Sequence, residues 1–244
     1  MKGDTGISST TMSNTEIKLL LLPGLDGTGR FFARLQRCLD DRIDVEVVRY
    51  PGDRPLGYRE LANYVRAHIG AQPVVLLGES FSGPIAIRLA AELPQHVKGL
   101  ILAATFITSP WPRWMVKAAA TAKPSAVPRG WIDAVLRGGS NDPELAAEIA
   151  DVMAHFAPNV RAARLREVAG ADARADLQRV SCPILALHGR NDWLVPKSGI
   201  VRAMRTKPGA VMKLIGGPHM LLQCNAAGAA REIETFLTSI IGTP

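Results

Sequence analysis

Ser80 sits in Gly78-Glu79-Ser80-Phe81-Ser82-Gly83, after the apolar run Val74-Val75-Leu76-Leu77 and before Pro84-Ile85-Ala86-Ile87-Arg88-Leu89-Ala90-Ala91, which has helical composition. A strand turning sharply into a helix about a serine pushes the hydroxyl out at the tip, the geometry of a nucleophile elbow. Small residues are expected at Gly78 and Ser82, where the helix crosses close to the strand. The chemistry this allows is attack on a carbonyl. A serine hydroxyl is a weak nucleophile, so it needs a base within hydrogen-bond reach and a third group to orient that base.

Few residues can fill those places. After the apolar run Ile184-Leu185-Ala186-Leu187 comes His188-Gly189-Arg190-Asn191-Asp192-Trp193-Leu194-Val195-Pro196, with Asp192 in a turn just past a strand end. After Val211-Met212-Lys213-Leu214-Ile215 comes Gly216-Gly217-Pro218-His219, with His219 in the equivalent place.

These positions imply a sheet that brings strand ends together. Ile17 to Leu22 is a continuous apolar run, as expected of a parallel strand buried on both faces, and it enters the loop Pro23-Gly24-Leu25-Asp26-Gly27-Thr28-Gly29. A helix is predicted over Arg30 to Leu39, spaced by Phe31, Leu35 and Leu39, then a strand at Val45 to Val48, then a helix spaced by Leu61, Val65 and Ile69. Strands at Leu100 to Ala103, Ile184 to Leu187 and Val211 to Ile215, with helices near Ser198 to Thr206 and through Ile233, Phe236, Leu237 and Ile240, complete six strands with crossover helices. The fold class is α/β, a doubly wound and mainly parallel sheet, with ligands expected beyond the carboxyl ends of the strands.

The alternation lapses between Ile107 and Arg179, where Trp, Pro, Ala and Arg dominate. Asp142-Pro143 reads as an N-cap with proline in the first turn, and Leu145, Ile149, Val152 and Phe156 mark one apolar helical face. The organisation expected is a flexible tail over 1–15, a core formed by 16–106 and 180–244, and a helical cap inserted at 107–179.

Across nearly the whole folded chain these residues resemble the α/β-hydrolase superfamily, and within it the capped lipases and esterases, including the carboxylesterases that remove the methyl ester of pimeloyl-carrier protein. The order Ser80, Asp192, His219 and the acid in an Asp-x-Leu-Val-Pro turn carry the likeness. The resemblance implies Ser80 as nucleophile, His219 as general base and then acid, Asp192 as its orienting carboxylate, and an oxyanion hole from the N–H groups of Leu25 and Phe81. Ser82 stands where that family usually has glycine. Pro23 replaces the histidine commonly found before Gly24, which leaves the N–H of Asp26 as an alternative donor.

The expected activity is a carboxylesterase-type serine hydrolase for small to medium acyl esters, with Trp111, Trp114, Met115 and Leu194 lining an apolar acyl pocket. Acyl transfer and thioester cleavage use the same three residues. A ligand-binding protein on this fold is a third reading, and it has no need of all three. No cofactor is expected. An acidic acyl carrier protein is a candidate partner, since Arg161, Arg164, Arg166, Arg174 and Arg179 cluster late in the cap.

Composition removes other classes. The formal charge is +7, yet ten basic against eight acidic residues between Ile107 and Ser181 show no concentrated stripe, and aromatics make up 5%, so nucleic acid is not expected as a partner. Leu19 to Leu22 is too short for a membrane span, and the N-terminal stretch lacks the order of a signal peptide. Three cysteines, Cys38, Cys182 and Cys224, fit a reducing compartment, so the cytoplasm is the expected location. Gly24, Gly27 and Gly29 follow a strand but fail the dinucleotide spacing, and no histidine pair has convincing zinc-ligand spacing. His68, His96 and His155 read as structural, and His188 as support for the acid loop.

Overall fold

The computed structural model describes residues 17–121 and 129–241; the expected tail at 1–15 lies outside the described residues. Six strands, β1 (Lys18–Leu22), β2 (Val45–Val47), β3 (Val74–Glu79), β4 (Val97–Ala103), β5 (Ile184–Gly189) and β6 (Ala210–Ile215), form one sheet in the order β2-β1-β3-β4-β5-β6. Every neighbouring pair is parallel, so all six carboxyl ends share one edge. Leu22 pairs with Gly78, Glu79 with Ala103 and Gly189 with Ile215, which puts the loops that follow β1, β3, β5 and β6 along that edge.

Successive strand residues point to opposite faces, and both faces are covered. One face carries Leu20, Leu22, Leu76, Leu100 and Ala186 against α2 (Tyr58–Ile69), α3 (Gly83–Glu92) and α9 (Lys197–Arg205). The other carries Leu19, Leu21, Leu77, Ile101 and Leu187 against α1 (Ala33–Gln36), α10 (Leu221–Cys224) and α11 (Ala226–Ile241). The near-continuous apolar strands follow from this two-sided burial.

One predicted helix is shorter and out of phase. Gly29 at φ 71° admits a 3-10 turn over Arg30–Phe32 before α1, so the chain starts with about three residues per turn. Phe32 and Leu35 are therefore buried, and Phe31 is the half-buried member.

Among the described residues, five helices lie between β4 and β5: α4 (Arg113–Thr121), α5 (Arg129–Arg137), α6 (Pro143–His155), α7 (Pro158–Gly170) and α8 (Arg174–Arg179). The chain leaves and returns through one neck, where Thr108 bridges Asp172, Ser109 N–H donates to Ala171 and Ala173 N–H donates to Ile107. Asp142 caps α6 by accepting from Leu145 N–H at 3.0 Å, with Pro143 in the first turn. Helix α8 returns to the sheet layer: Leu177 joins the core beneath α3, and Arg88 pairs with Asp176 at 3.5 Å. No helix among the described residues is long and apolar enough to cross a membrane.

Candidate active site

Strand β3 runs into a 3-10 turn, Ser80–Ser82, and then α3. Ser80 takes φ 47°, a left-handed conformation that costs a non-glycine residue about 1–3 kcal/mol and persists only where its surroundings hold it. The Thr105 hydroxyl donates to the Ser80 carbonyl. A Cβ at Gly78 would lie 2.8 Å from the Ser82 carbonyl oxygen and 2.9 Å from Ala86 Cβ, and one at Gly83 would lie 2.0 Å from Thr105 Oγ1. The positions that exclude a side chain are thus Gly78 and Gly83. Ser82 has a different part to play: its hydroxyl donates to the Pro23 carbonyl and accepts from Tyr50 OH at 2.7 Å, since a carbonyl offers no proton in return. The two departures from the family pattern, at positions 82 and 23, are bonded to each other.

His219 follows β6 in a loop turned by Gly217 at φ 148°. The loop rests on the end of β5, where a Cβ on Gly189 would lie 2.5 Å from the carbonyl oxygens of Gly217 and Pro218. From the other side, Met220 N–H donates to the Leu136 carbonyl and Met220 packs with Leu145 and Ile149 of α6. His219 Nε2 lies 2.9 Å from Ser80 Oγ, and His219 Nδ1 lies 2.9 Å from Asp192 Oδ2. Because an ionised carboxylate only accepts, Nδ1 carries the proton and Nε2 is left free to accept from the serine.

Asp192 is fixed just as closely. Its Oδ1 accepts from the N–H groups of Leu194 at 3.0 Å and Val195 at 2.8 Å. Burial pushes this carboxyl up, but the bonds from His219 and Val195 outweigh it and hold the group below its ordinary value. His188, buried at the end of β5, reaches the Val195 carbonyl with Nε2 at 2.9 Å and braces the same turn, and burial lowers its pKa. The structure therefore brings Ser80, His219 and Asp192 into one continuous chain of hydrogen bonds.

The candidate oxyanion residues lie at the ends of adjacent strands. Leu25 sits in the turn closed by Gly27 N–H to the Gly24 carbonyl at 3.1 Å, and Phe81 is the middle residue of the elbow turn, with its ring 4.8 Å from that of Tyr58. Glu79, the variable elbow position, points into the protein: Gln223 Nε2 donates to it at 2.9 Å, the Gly24 backbone adds a second hydrogen bond, and burial raises its pKa to about 7.

The four residues expected at the acyl pocket are placed less uniformly. Trp111 Nε1 donates to the Leu194 carbonyl at 2.7 Å, joining the segment before α4 to the acid turn. Trp111 and Met115 are 38% and 40% exposed, and Trp114 is 71% exposed. Among the arginines expected to meet a carrier protein, Arg164 is the exception: it is 1% exposed, with its guanidinium turned inward to the Leu25 and Pro51 carbonyls. Val160, Arg164 and Val168 occupy one buried stripe of α7 at i, i+4, i+8 spacing, so the amphipathic phase that buries the valines takes the arginine with them. Arg174 and Arg179 are ion-paired with Asp172 and Asp176, each at 2.6 Å.

The contacts of Thr105, Tyr50, Gln223 and Arg164 lie beyond what the sequence pattern indicates. No local signal marks them: even for Arg164, the sequence of α7 has too weak an apolar stripe to tell which face is buried. Among the described residues no group of three or more His, Cys, Asp or Glu is placed to hold a metal.

The all-parallel sheet, the elbow and the histidine beyond the last strand define the α/β-hydrolase class, and solved structures share the fold. An enol-lactonase from Burkholderia xenovorans superposes with a TM-score of 0.81 at 18% identity, covering 91% of each chain. A thermophilic esterase from Thermogutta terrifontis gives 0.80 at 22%, covering 93% of this chain and 91% of that one. The chain belongs to the serine aminopeptidase, S33 family of hydrolases, whose profile matches residues 58–222. Among curated relatives, a pimeloyl-[acyl-carrier protein] methyl ester esterase of Nitrosomonas europaea is 29% identical over 58% of this chain and 61% of its own length. One of the same description from Xanthomonas oryzae pv. oryzae is 28% identical over 91% of this chain and 95% of its own. The protein is an α/β-hydrolase with similarity to esterases.

Proposed function

We propose that this protein is a carboxylesterase acting on small to medium acyl esters through an acyl-enzyme on Ser80. The observation that carries the reading is the pair of 2.9 Å contacts joining Ser80 Oγ to His219 Nε2 and His219 Nδ1 to Asp192 Oδ2. His219 takes the serine proton as Oγ attacks the ester carbonyl, and Asp192 stabilises the imidazolium that forms. The N–H groups of Leu25 and Phe81 hold the oxyanion, and the protonated His219 then delivers its proton to the leaving alcohol. Water activated by His219 releases the acid and restores the serine.

We read the helical segment 107–179 as a cap, in which Trp111, Trp114, Met115 and, across from them, Leu194 contact the acyl chain. The exchange between water and other acceptors is not decided by these groups, so acyl transfer and thioester cleavage are alternatives on the same acyl-enzyme. A carrier-linked ester is a further substrate class, suggested by the relatives described as acting on pimeloyl-carrier protein. We place the protein in the cytoplasm, consistent with the unpaired thiols of Cys38 and Cys182.

A series of p-nitrophenyl and thioester substrates of increasing acyl length, run with Ser80→Ala as control, tests the reading. The wild type is expected to hydrolyse esters and to react with a fluorophosphonate at Ser80, with both lost in the variant. Turnover by Ser80→Ala at the wild-type rate would refute it, and acyl products formed with added alcohols would move it to a transferase.

A further inference from the structure

The loop that carries Leu25 is held from three directions. Ser82 donates to the Pro23 carbonyl, the Gly24 backbone hydrogen-bonds Glu79, and Arg164 Nη1 donates to the Leu25 carbonyl at 2.8 Å. The first two holds come from the elbow beneath the loop. The third comes from α7, in the helical segment between β4 and β5.

Arg164 is an unusual residue to bury. A guanidinium stays charged, and no carboxylate among the described residues hydrogen-bonds it. Two backbone carbonyls, of Leu25 and of Pro51 at 3.1 Å, take its protons instead, and the rings of Tyr50 and Phe156 lie 5.6 Å from its central carbon. The loop is shaped to admit it. Gly27 adopts φ 75°, and a Cβ there would fall 2.4 Å from Arg164 Nη1. Gly27 is also tied on both sides, its N–H to the Gly24 carbonyl at 3.1 Å and its carbonyl to Tyr50 N–H at 2.8 Å.

The peptide planes on either side of Leu25 are therefore both fixed, the Gly24 carbonyl by Gly27 and the Leu25 carbonyl by Arg164. A trans peptide points its N–H opposite its carbonyl, so the bond from Arg164 also sets the direction of the Asp26 N–H. We infer that Arg164 is a positioning residue for the oxyanion hole: a guanidinium carried by the cap that holds the Leu25 loop in the geometry needed to stabilise the tetrahedral intermediate. This rests on the hydrolase reading of Ser80, and it makes the cap part of the catalytic apparatus as well as a lid over the acyl chain. Donors at an oxyanion act through geometry set in advance, and a displacement of about 1 Å is enough to cost on the order of 10²-fold.

The test uses Arg164→Lys and Arg164→Ala with a p-nitrophenyl ester of short acyl chain, which limits contact with the cap. In both variants kcat is expected to fall by about 10-fold to 10²-fold with KM within about twofold of wild type, since the loss falls on the transition state. Inhibition by a boronic acid, which forms a tetrahedral adduct on the serine, should weaken by the same factor. Millimolar guanidinium should restore part of the lost rate in Arg164→Ala and leave the wild type unchanged. Arg164→Lys with kcat and boronate affinity within twofold of wild type overturns the inference, as does a change in KM alone. Failure of Arg164→Lys to fold overturns it too, because the side chain would then be a core support of the cap. Activity in Ser80→Ala would bring down the reading of the site, whereas an inactive Ser80→Ala beside a fully active Arg164→Lys would remove only this assignment.

Discussion

At the carboxyl ends of β3, β5 and β6 each candidate site side chain is held by hydrogen bonds, whereas in the segment that follows β4 Trp114 and Met115 are turned toward solvent. Ser80 keeps a strained backbone because Thr105, Gly78 and Gly83 leave it no alternative. Asp192 is oriented through two backbone N–H groups and a histidine brace beneath them. Among the described residues no side-chain hydrogen bond holds Trp114, which is 71% exposed. On the function proposed above, the two regions do different work. A proton relay fails when a group moves by an ångström, while a surface that accepts acyl chains of several lengths gains from adaptable apolar side chains. Arg164 crosses the divide, as a residue of α7 held by two backbone carbonyls of the loops beside the sheet.

The largest expected effect breaks the rigid side of this comparison. Asp192→Asn keeps an acceptor for Leu194 and Val195 but offers His219 an amide, which favours the wrong tautomer. We expect kcat for a p-nitrophenyl ester to fall by about 10⁴-fold with little change in KM, as measured by steady-state kinetics. A loss smaller than tenfold would mean that the hydrogen-bond chain is not the relay.

How much of this is legible in the sequence follows the same division. The strands announce themselves because two-sided burial demands apolar runs, and Ser80, Asp192 and His219 stand at strand ends among turn residues. Contacts made across layers leave weaker marks. Thr105 looks only like a position without an acid, and nothing local to Tyr50 or Gln223 reveals that they meet Ser82 and Glu79 across 32 and 144 residues of sequence. Ser82 reads as a tolerated substitute for glycine, since its bond to Pro23 needs the register of β1 against β3. Arg164 reads as surface charge because composition does not tell which face of α7 is buried.

Glu79 sharpens the comparison next, because it is a titratable group locked into the rigid side. Its folded pKa of about 7 lies above the ordinary value of 4.5, so between those pH values the unfolded chain has released a proton that the folded chain keeps. Stability is therefore fullest below pH 4.5, falls as pH rises toward 7, and levels off above it, by about 3 kcal/mol in all. His188, whose pKa is lowered by burial, contributes the opposite slope and does so in any Glu79 variant. On going from pH 5 to pH 8 the urea midpoint of the wild type should therefore move downward relative to that of Glu79→Gln, which keeps only the opposite slope of groups such as His188. The same change in both proteins would show that the carboxyl ionises at its ordinary pH.

A pair of glycine substitutions compares the regions directly. Gly83→Ala drives a Cβ to 2.0 Å from Thr105 Oγ1 and should cost about 1–3 kcal/mol together with activity, because Thr105 must leave the Ser80 carbonyl. At Gly170, the last residue of α7, a Cβ meets nothing within 4 Å. Gly170→Ala should be neutral or stabilise by about 0.4–1 kcal/mol through the unfolded state. Thermal melts of the two variants that moved together would erase the distinction between the packed elbow and the open end of α7.

Trp114→Ala gives the smallest effect on stability and the most selective one on function. At 71% exposure the indole has little burial to lose, so the melting curve should shift by less than about 0.5 kcal/mol. Hydrolysis of an acetate ester should be unchanged, because a two-carbon acyl group has almost no apolar surface to offer the indole. Longer acyl chains gain binding from apolar contact at about 0.8 kcal/mol per buried methylene, so removing a side chain that meets them should flatten the rise of kcat/KM with chain length. A chain-length profile identical to that of the wild type would take Trp114 out of the acyl pocket and leave Trp111, tied to Leu194, as the aromatic that bounds it.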